Sequence, residues 1–250
     1  MKKIVSLLLC AVMLLATLGL SGCEFGDERK KLDGKTPEEL YEETVDMLKD
    51  LDSYELHATL VISLGGQEIN QTVISKRNGK NEYVKTDNDI GEAEMEAWYV
   101  DDVMYGSMDG TMFQAKLPYE TYVERFMPDG ADAEGALMNI PEDWFEDIKF
   151  IKDEENKDTF YLEFKLSGEE YMKYFEKTDM DDMLDGVSDV FYRVYFDKDG
   201  NLGDIVTEFT MTVEGVEASV TSISTVTGMN ETEITVPDKC KEWPDYTDRL

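Results

Sequence analysis

The stretch Tyr54-Glu55-Leu56-His57-Ala58-Thr59-Leu60-Val61-Ile62-Ser63-Leu64 decides the fold. Its even positions from Leu56 to Leu64 are apolar, while Glu55, His57, Thr59 and Ser63 are polar. A period of two sends alternate side chains to opposite faces of a pleat, so the pattern predicts a half-buried strand of about ten residues. Gly65-Gly66 then turns the chain, and residues 68–76 return with Ile69, Val73 and Ile74. Asn78-Gly79 is a hairpin signal, followed by Tyr83 and Val84. Ala93, Met95, Ala97 and Tyr99 alternate with Glu92, Glu94, Glu96 and Trp98, and two short strands flank Asp109-Gly110. The spacing predicts an antiparallel meander of about six strands joined by tight turns.

Working outward, Thr36-Pro37-Glu38-Glu39 places a capping hydroxyl, a proline at the first helical position and a glutamate three residues on. That is a capping box, and Leu40, Tyr41, Val45, Met47, Leu48 and Leu51 follow at helical spacing. Beyond the meander, Tyr119, Tyr122, Val123, Phe126 and Met127 recur on one helical face. Residues 128–141 are rich in Gly, Ala and Asp and contain Leu137, Met138 and Ile140, which predicts a mobile loop placed to act as a lid. Strands are expected at Phe145–Lys152 and Thr159–Leu166. Ser167 and Glu170 open a further helix carrying Tyr171, Met172, Tyr174 and Phe175, and the acidic run 179–189 follows. Strands at 190–196, Leu202–Val213 and Val216–Thr227 come next, with a turn at Asp197-Lys198-Asp199-Gly200. Thr232-Glu233-Ile234-Thr235-Val236-Pro237 is expected to close the sheet. No stretch supplies the strand–helix alternation of a parallel sheet. The expected class is α+β: one large curved antiparallel sheet with a few amphipathic helices covering one face.

The 250 residues carry 24 Lys plus Arg against 56 Asp plus Glu, a formal net charge of −32. A duplex-binding surface has to neutralise phosphates, and this chain repels them, so no nucleic-acid partner is expected. Three cysteines and one histidine exclude zinc modules built on Cys/His clusters.

Lys2 and Lys3 precede an uncharged, nearly all-apolar run over residues 4–20, which ends in Leu20-Ser21-Gly22-Cys23. An apolar run of this length is also compatible with a retained transmembrane anchor. Charge, apolar run, small residues and cysteine in that order resemble the lipobox of bacterial lipoproteins. That resemblance implies cleavage before Cys23, acylation of its sulfur, and anchoring to the extracytoplasmic face of the cell membrane. The expected organisation is a signal peptide over 1–22, the lipidated Cys23 with a tether over 23–35, one domain over 36–238 and a loose tail over 239–250. With Cys23 alkylated and the signal peptide removed, Cys240 has no intrachain disulfide partner.

The first helix ending in Leu51-Asp52-Ser53-Tyr54, the long meander and the closing Ile234-Thr235-Val236-Pro237 resemble the LolA/LppX/LprG-like group of bacterial lipoproteins. The phrases Trp98-Tyr99-Val100-Asp101-Asp102-Val103-Met104-Tyr105 and Phe196-Asp197-Lys198-Asp199-Gly200-Asn201 are similar to strand–turn–strand phrases of its Gram-positive relatives. The resemblance implies an open half-barrel closed by helices around an apolar cavity, which in some members holds acyl chains. It implies no catalytic residues.

Chemistry is sparse in the chain. The single imidazole, His57, lies within a strand, and a surface strand histidine is the reading adopted for it. Asp197, Asp199 and Asn201 share the early spacing of an EF-hand loop, but position 6 is Leu202 where glycine is needed, so a hairpin turn is expected. No metal site, cofactor or catalytic residue is assigned. Methionines are plentiful, and flexible thioethers suit surfaces that accommodate varied apolar ligands. Tyr119, Tyr122, Phe126, Met127, Leu137 and Met138 are therefore expected at the mouth of a ligand groove, with Met95, Tyr99, Met104 and Met112 lining it. The expected function is non-catalytic binding or carriage of a lipid or other amphiphile. The alternatives are a cell-envelope interaction module with a filled core and a protein partner, or a secreted hydrolase using a carboxylate pair.

Overall fold

The computed structural model describes residues 35–89, 95–108, 110–126, 145–152, 159–169, 186–213 and 215–247. Cys23, Met127, the 128–141 segment with Leu137 and Met138, and residues 170–185, with most of the helix expected after Ser167, lie outside them.

Eleven strands form one antiparallel sheet: β1 Ser53–Leu64, β2 Gln67–Asn78, β3 Asn81–Asn88, β4 Met95–Val100, β5 Val103–Met108, β6 Thr111–Lys116, β7 Phe145–Lys152, β8 Thr159–Leu166, β9 Val190–Asp197, β10 Leu202–Val213 and β11 Val216–Thr227. Their spatial order is β6-β5-β4-β3-β2-β1-β11-β10-β9-β8-β7. Every neighbouring pair but one is consecutive in sequence. The exception is the seam, where β1 runs antiparallel to β11 from Glu55 opposite Thr227 to Leu64 opposite Ala218. The sheet is thus two meanders, β1–β6 and β7–β11, zipped together by the first strand and the last.

Tight turns make the meanders possible. Asp101 and Asp102 both have positive φ, 52° and 59°, the backbone of a two-residue turn whose twist matches the strands it joins. Asp197 accepts hydrogen bonds at Oδ1 from the backbone N–H groups of Asp199 and Asn201, which folds the β9–β10 connection as the expected hairpin turn.

Alternation sorts the side chains onto two faces. The inner face carries Leu56, Leu60 and Ile62 of β1, Val220 and Val226 of β11, Ile205, Phe209 and Met211 of β10, Tyr192, Val194 and Phe196 of β9, and Leu162, Phe164 and Leu166 of β8, all within one buried cluster. Helix α1, Pro37–Lys49, lies on this face. Its Thr36 hydroxyl caps the Glu39 N–H while the Glu39 carboxylate accepts from the Thr36 N–H, so the capping box is formed as expected. Leu40, Tyr41 and Leu48 join the cluster, with the Tyr41 ring edge-on to Phe164 at 5.9 Å. Met47, expected on the packed stripe, is 38% exposed. Helix α2, Tyr119–Phe126, covers the β4–β6 end of the inner face.

The outer face is polar over most of its width. Arg193 bridges Glu163 (2.8 Å) and Glu208 (2.6 Å) across three strands, and Glu55 holds Lys76 and His57. At β3–β6 this changes. Tyr83, Trp98 and Tyr105 form an apolar patch, and Ile234, Val236, Cys240 and Trp243 pack on it.

Two expectations about the C-terminus are therefore corrected. Residues 232–237 do not close the sheet: β11 ends at Thr227 against β1, and both of its edges are already paired. The segment leaves the sheet through a turn at Asn230 (φ 59°) and crosses the outer face. Nor is the chain loose from 239. Residues Asp238–Glu242 form a 3-10 turn with Cys240 fully buried, and the backbone beyond it pairs with β6 through Gln114 N–H to Pro244 O (2.9 Å) and Tyr246 N–H to Gln114 O (2.8 Å). The exposed edge of β6 receives a short parallel partner there, which blunts it against pairing with other chains.

Candidate functional site

The candidate site lies on the inner face, where, among the described residues, the sheet is wider than the two helices packed on it. Ten strand spacings make a layer of about 48 Å. The thirteen residues of α1 span only ~20 Å and α2 is shorter still.

Toward the β6 edge, successive inner-face rows bring Arg77, Glu82, Tyr99, Met104 and Ala115 side by side across β2–β6. Tyr122 of α2 stacks on Tyr99 with centroids 4.2 Å apart, and Tyr119 tilts against both. The Tyr99 hydroxyl lies 2.9 Å from both Asp102 Oδ1 and the Leu117 carbonyl, its acceptors. Burial, then the Asp102 carboxylate, pushes the Tyr99 phenol well above the ordinary range. Burial, then the Glu82 carboxylate to which it is hydrogen-bonded, does the same to Tyr122. Burial works against the charge of Arg77, yet the Tyr54 and Tyr119 hydroxyls and Glu82 hold its guanidinium above its usual value. Lys80 sits 5.2 Å over the Tyr119 ring. This corner is an aromatic clamp with a polar rim.

Tyr99, Met104, Leu117 and Tyr122 touch one another as a small closed core, with Ala97, Phe113 and Tyr119 around it. Of the residues expected at a groove, the structure brings Tyr99, Met104, Tyr119 and Tyr122 together, and Met95 sits half-buried on the same face beside Thr86 and Met108. Phe126 ends α2. Met112 is a correction. Met108 lies opposite Thr111, so Met112 falls opposite Ser107 on the outer face, where it is 47% exposed. Phe113 takes the inward position.

Toward the seam the inner face changes character. Ala58, Ser222, Ser224, Thr207, Thr86 and Gln71 are buried there among the apolar side chains. Leu60 lies opposite Gln71 on β2 and opposite Ser222 on β11, and Ser222 lies opposite Thr207 on β10, so these four form one cross-strand row. Small and polar residues in the middle of a sheet interior are what the sequence reading missed. The signal was present in the alternation, as Ala58, Gln71, Ser222 and Ser224 at inward parity.

Titratable chemistry elsewhere is spare. His57 is exposed on the outer face with Nε2 2.6 Å from Glu55 Oε1. Burial raises the Cys240 thiol above its ordinary value, so it is a poor nucleophile where it sits. No group of three His, Cys, Asp or Glu side chains among the described residues is arranged to hold a metal ion. No helix among them is long and apolar enough to cross a membrane.

Fold and site together define an open antiparallel sheet with a buried, mixed-polarity inner surface. No family profile and no curated protein matches the sequence. Among solved structures, the chain is similar to LprF from Mycobacterium bovis, with 9% identity, 84% of this chain and 99% of that chain covered, and a TM-score of 0.42. It is similar to an outer membrane lipoprotein-sorting protein domain from Vibrio parahaemolyticus, with 10% identity, coverage of 80% and 94%, and a TM-score of 0.28. A DUF1329 family protein from Desulfovibrio piger has 12% identity, coverage of 78% and 91%, and a TM-score of 0.25. These are likenesses of layout, and the resemblance of the sequence phrases to the LolA/LppX/LprG-like group stands beside them.

Proposed function

We propose that the chain is a non-catalytic, extracytoplasmic lipoprotein, tethered to the membrane through acylated Cys23, that takes an amphiphile on the inner face of its sheet. The observation that supports this most is the makeup of that face, where buried Ala58, Thr207, Ser222 and Ser224 interrupt a large apolar cluster. The sheet is about 48 Å wide, and among the described residues two short helices pack on it. An acyl chain that enters between sheet and cover gains roughly 25 cal/mol per Å² of its own apolar surface removed from water. The formal charge of −32 keeps such a domain soluble and off an anionic leaflet. The rim cations Arg77 and Lys80, set beside Tyr119 in this acidic chain, suit the head of an anionic amphiphile.

The test is mass spectrometry of the full chain produced in a bacterium that processes lipoproteins and carried in nanodiscs. The expected results are a mass for the processed, acylated Cys23 N-terminus and a stoichiometric amphiphile that is retained after washing and displaced by a fluorescent fatty acid. A chain that holds no amphiphile and takes up no fluorescent fatty acid would leave the interaction-module reading in its place.

A further inference from the structure

The C-terminal segment 232–247, a strap across the outer face, and helix α2 on the inner face hold the same three strands from opposite sides. The near end of the strap is pinned at the start of β1. There the Thr232 N–H donates to Ser53 Oγ (3.1 Å) and the Asn78 side-chain amide donates to the Thr232 carbonyl (2.9 Å). Beyond Pro237 the strap rests on β4–β6. On β4, Trp98 packs outward with Val236, Cys240 and Trp243, while its neighbour Tyr99 stacks inward on Tyr122 of α2. On β5, Tyr105 packs with the strap and its neighbour Met104 with the α2 cluster. On β6, Gln114 holds the strap backbone while Phe113 packs inward with the cluster of Tyr99, Met104, Leu117 and Tyr122. Tyr246 of the strap sets its ring edge-on to Phe113 at 6.3 Å. Thr247 Oγ1 accepts from the Lys116 N–H at 2.9 Å, and the next residue, Leu117, gives its carbonyl to the Tyr99 hydroxyl.

We infer that the strap is the latch of α2: lifting residues 238–247 off the outer face loosens the helix on the inner one and opens the aromatic clamp from behind. Three pairs of neighbouring residues carry the coupling, Trp98 with Tyr99, Tyr105 with Met104 and Gln114 with Phe113. The first of each pair meets the strap and the second meets the α2 cluster. An edge strand that loses its partner frays, and β6 feeds α2 through Leu117 and Pro118 alone. Close-packed side chains rearrange together, so the inner residue of each pair feels the loss of support at the outer one. The coupling is reciprocal: strap release loosens α2 by the same factor as α2 release loosens the strap. The inference goes beyond the amphiphile reading and does not depend on it, because every contact it uses lies within the chain.

The experiment is amide exchange of the full chain in nanodiscs, read by mass spectrometry and paired with the rate at which iodoacetamide labels Cys240. In the double variant Trp243→Ala/Tyr246→Ala, exchange over Tyr119–Phe126 is expected to rise about tenfold while β10 and β11 keep the wild-type rate. Labelling of Cys240 reports in the same sample that the strap has lifted. The reverse arm is Tyr122→Ala, a substitution on the opposite face. There Cys240 is expected to label about tenfold faster, again with β10 and β11 unchanged. This arm decides alone if the double variant fails to fold or leaves Cys240 protected. Wild-type exchange in α2 beside a fast-labelling Cys240 overturns the inference, as does wild-type labelling of Cys240 in Tyr122→Ala. A rise of equal size across β10 and β11 overturns it too, since the strap would then support the whole sheet rather than α2.

Discussion

Tyr122 lies nearly flat on Tyr99, with ring centroids 4.2 Å apart and planes 18° from parallel, and this contact fixes α2 to the sheet. The stack also joins two polar tethers, since Tyr99 hydrogen-bonds Asp102 and Leu117 while Tyr122 hydrogen-bonds Glu82. Removing the ring should therefore do more than open a void. Tyr122→Ala is expected to cost about 3 kcal/mol or more and to free α2. Tyr99→Phe keeps the stack and loses one hydroxyl, for a cost of about 1 kcal/mol. Urea unfolding measures both costs, and amide exchange over Tyr119–Phe126 should rise in the first variant only. Equal exchange in the two would mean that something other than the stack holds the helix.

The tyrosines also make stability depend on alkaline pH. Burial and the nearby Glu96, whose Oε1 accepts from the Tyr83 hydroxyl at 3.1 Å, push the Tyr83 phenol up from 10.0 to about 12. Tyr99 and Tyr122 move in the same direction. A phenol whose folded value is raised binds its proton more tightly when folded. Its contribution is whole below the unfolded value near 10 and is lost as pH rises toward about 12. Unfolding free energy measured from pH 8 to 12 should fall in that window, with phenolate absorbance appearing as the fold opens. Tyr83→Phe should flatten the fall relative to wild type. An unchanged slope would assign the loss to general repulsion in an acidic chain.

How much of this was legible in the sequence follows from the range of each interaction. The alternation of Leu56, Ala58, Leu60 and Ile62 fixes which side chains of β1 turn inward, and the structure buries all four. Local signals likewise place the Thr36–Glu39 box and the Asp197 turn. The seam could not be read, because pairing Glu55 with Thr227 joins segments far apart in the chain and leaves no local mark. Residues 232–237 alternate like a strand, yet β11 has no free edge for them, so they pack face-on against Trp98 instead. Met112 was misplaced for a simpler reason. With Met108 opposite Thr111, the inward parity passes from even positions on β5, Met104 among them, to odd positions on β6.

Gly106 is where that parity matters for packing. On the inner face of β5, opposite Ala97 and Phe113, a Cβ added to Gly106 would come within 2.5 Å of Phe113 Cζ. Gly106→Ala is expected to destabilise by about 1–3 kcal/mol through the displaced ring. Phe113→Leu in the same chain, by shortening the side chain over the added methyl, should recover part of the loss. Urea midpoints of the single and double variants provide the measurement. A neutral Gly106→Ala would show that the Phe113 ring swings aside freely.

The C-terminal strap offers a chemical readout of its own docking. Cys240 is fully buried beneath it, beside Trp98 and Val236, and Trp243 closes the patch with its ring 6.2 Å from Trp98. Gln114 holds the far end through its backbone and through its side-chain amide, which donates to the Trp243 carbonyl at 2.7 Å. Alkylation of Cys240 thus requires the strap to lift, since a buried thiol with a raised pKa is both hidden and protonated. Iodoacetamide labelling followed by peptide mapping should find Cys240 protected in the native chain. Trp243→Ala, which removes the ring that seals the patch, should speed its labelling about tenfold or more while the sheet stays folded by circular dichroism. Were the rate to stay at the wild-type value, the strap would be held by its backbone pairing to β6 alone, and Gln114→Pro, which removes the N–H donated to the Pro244 carbonyl, would then be the variant that releases it.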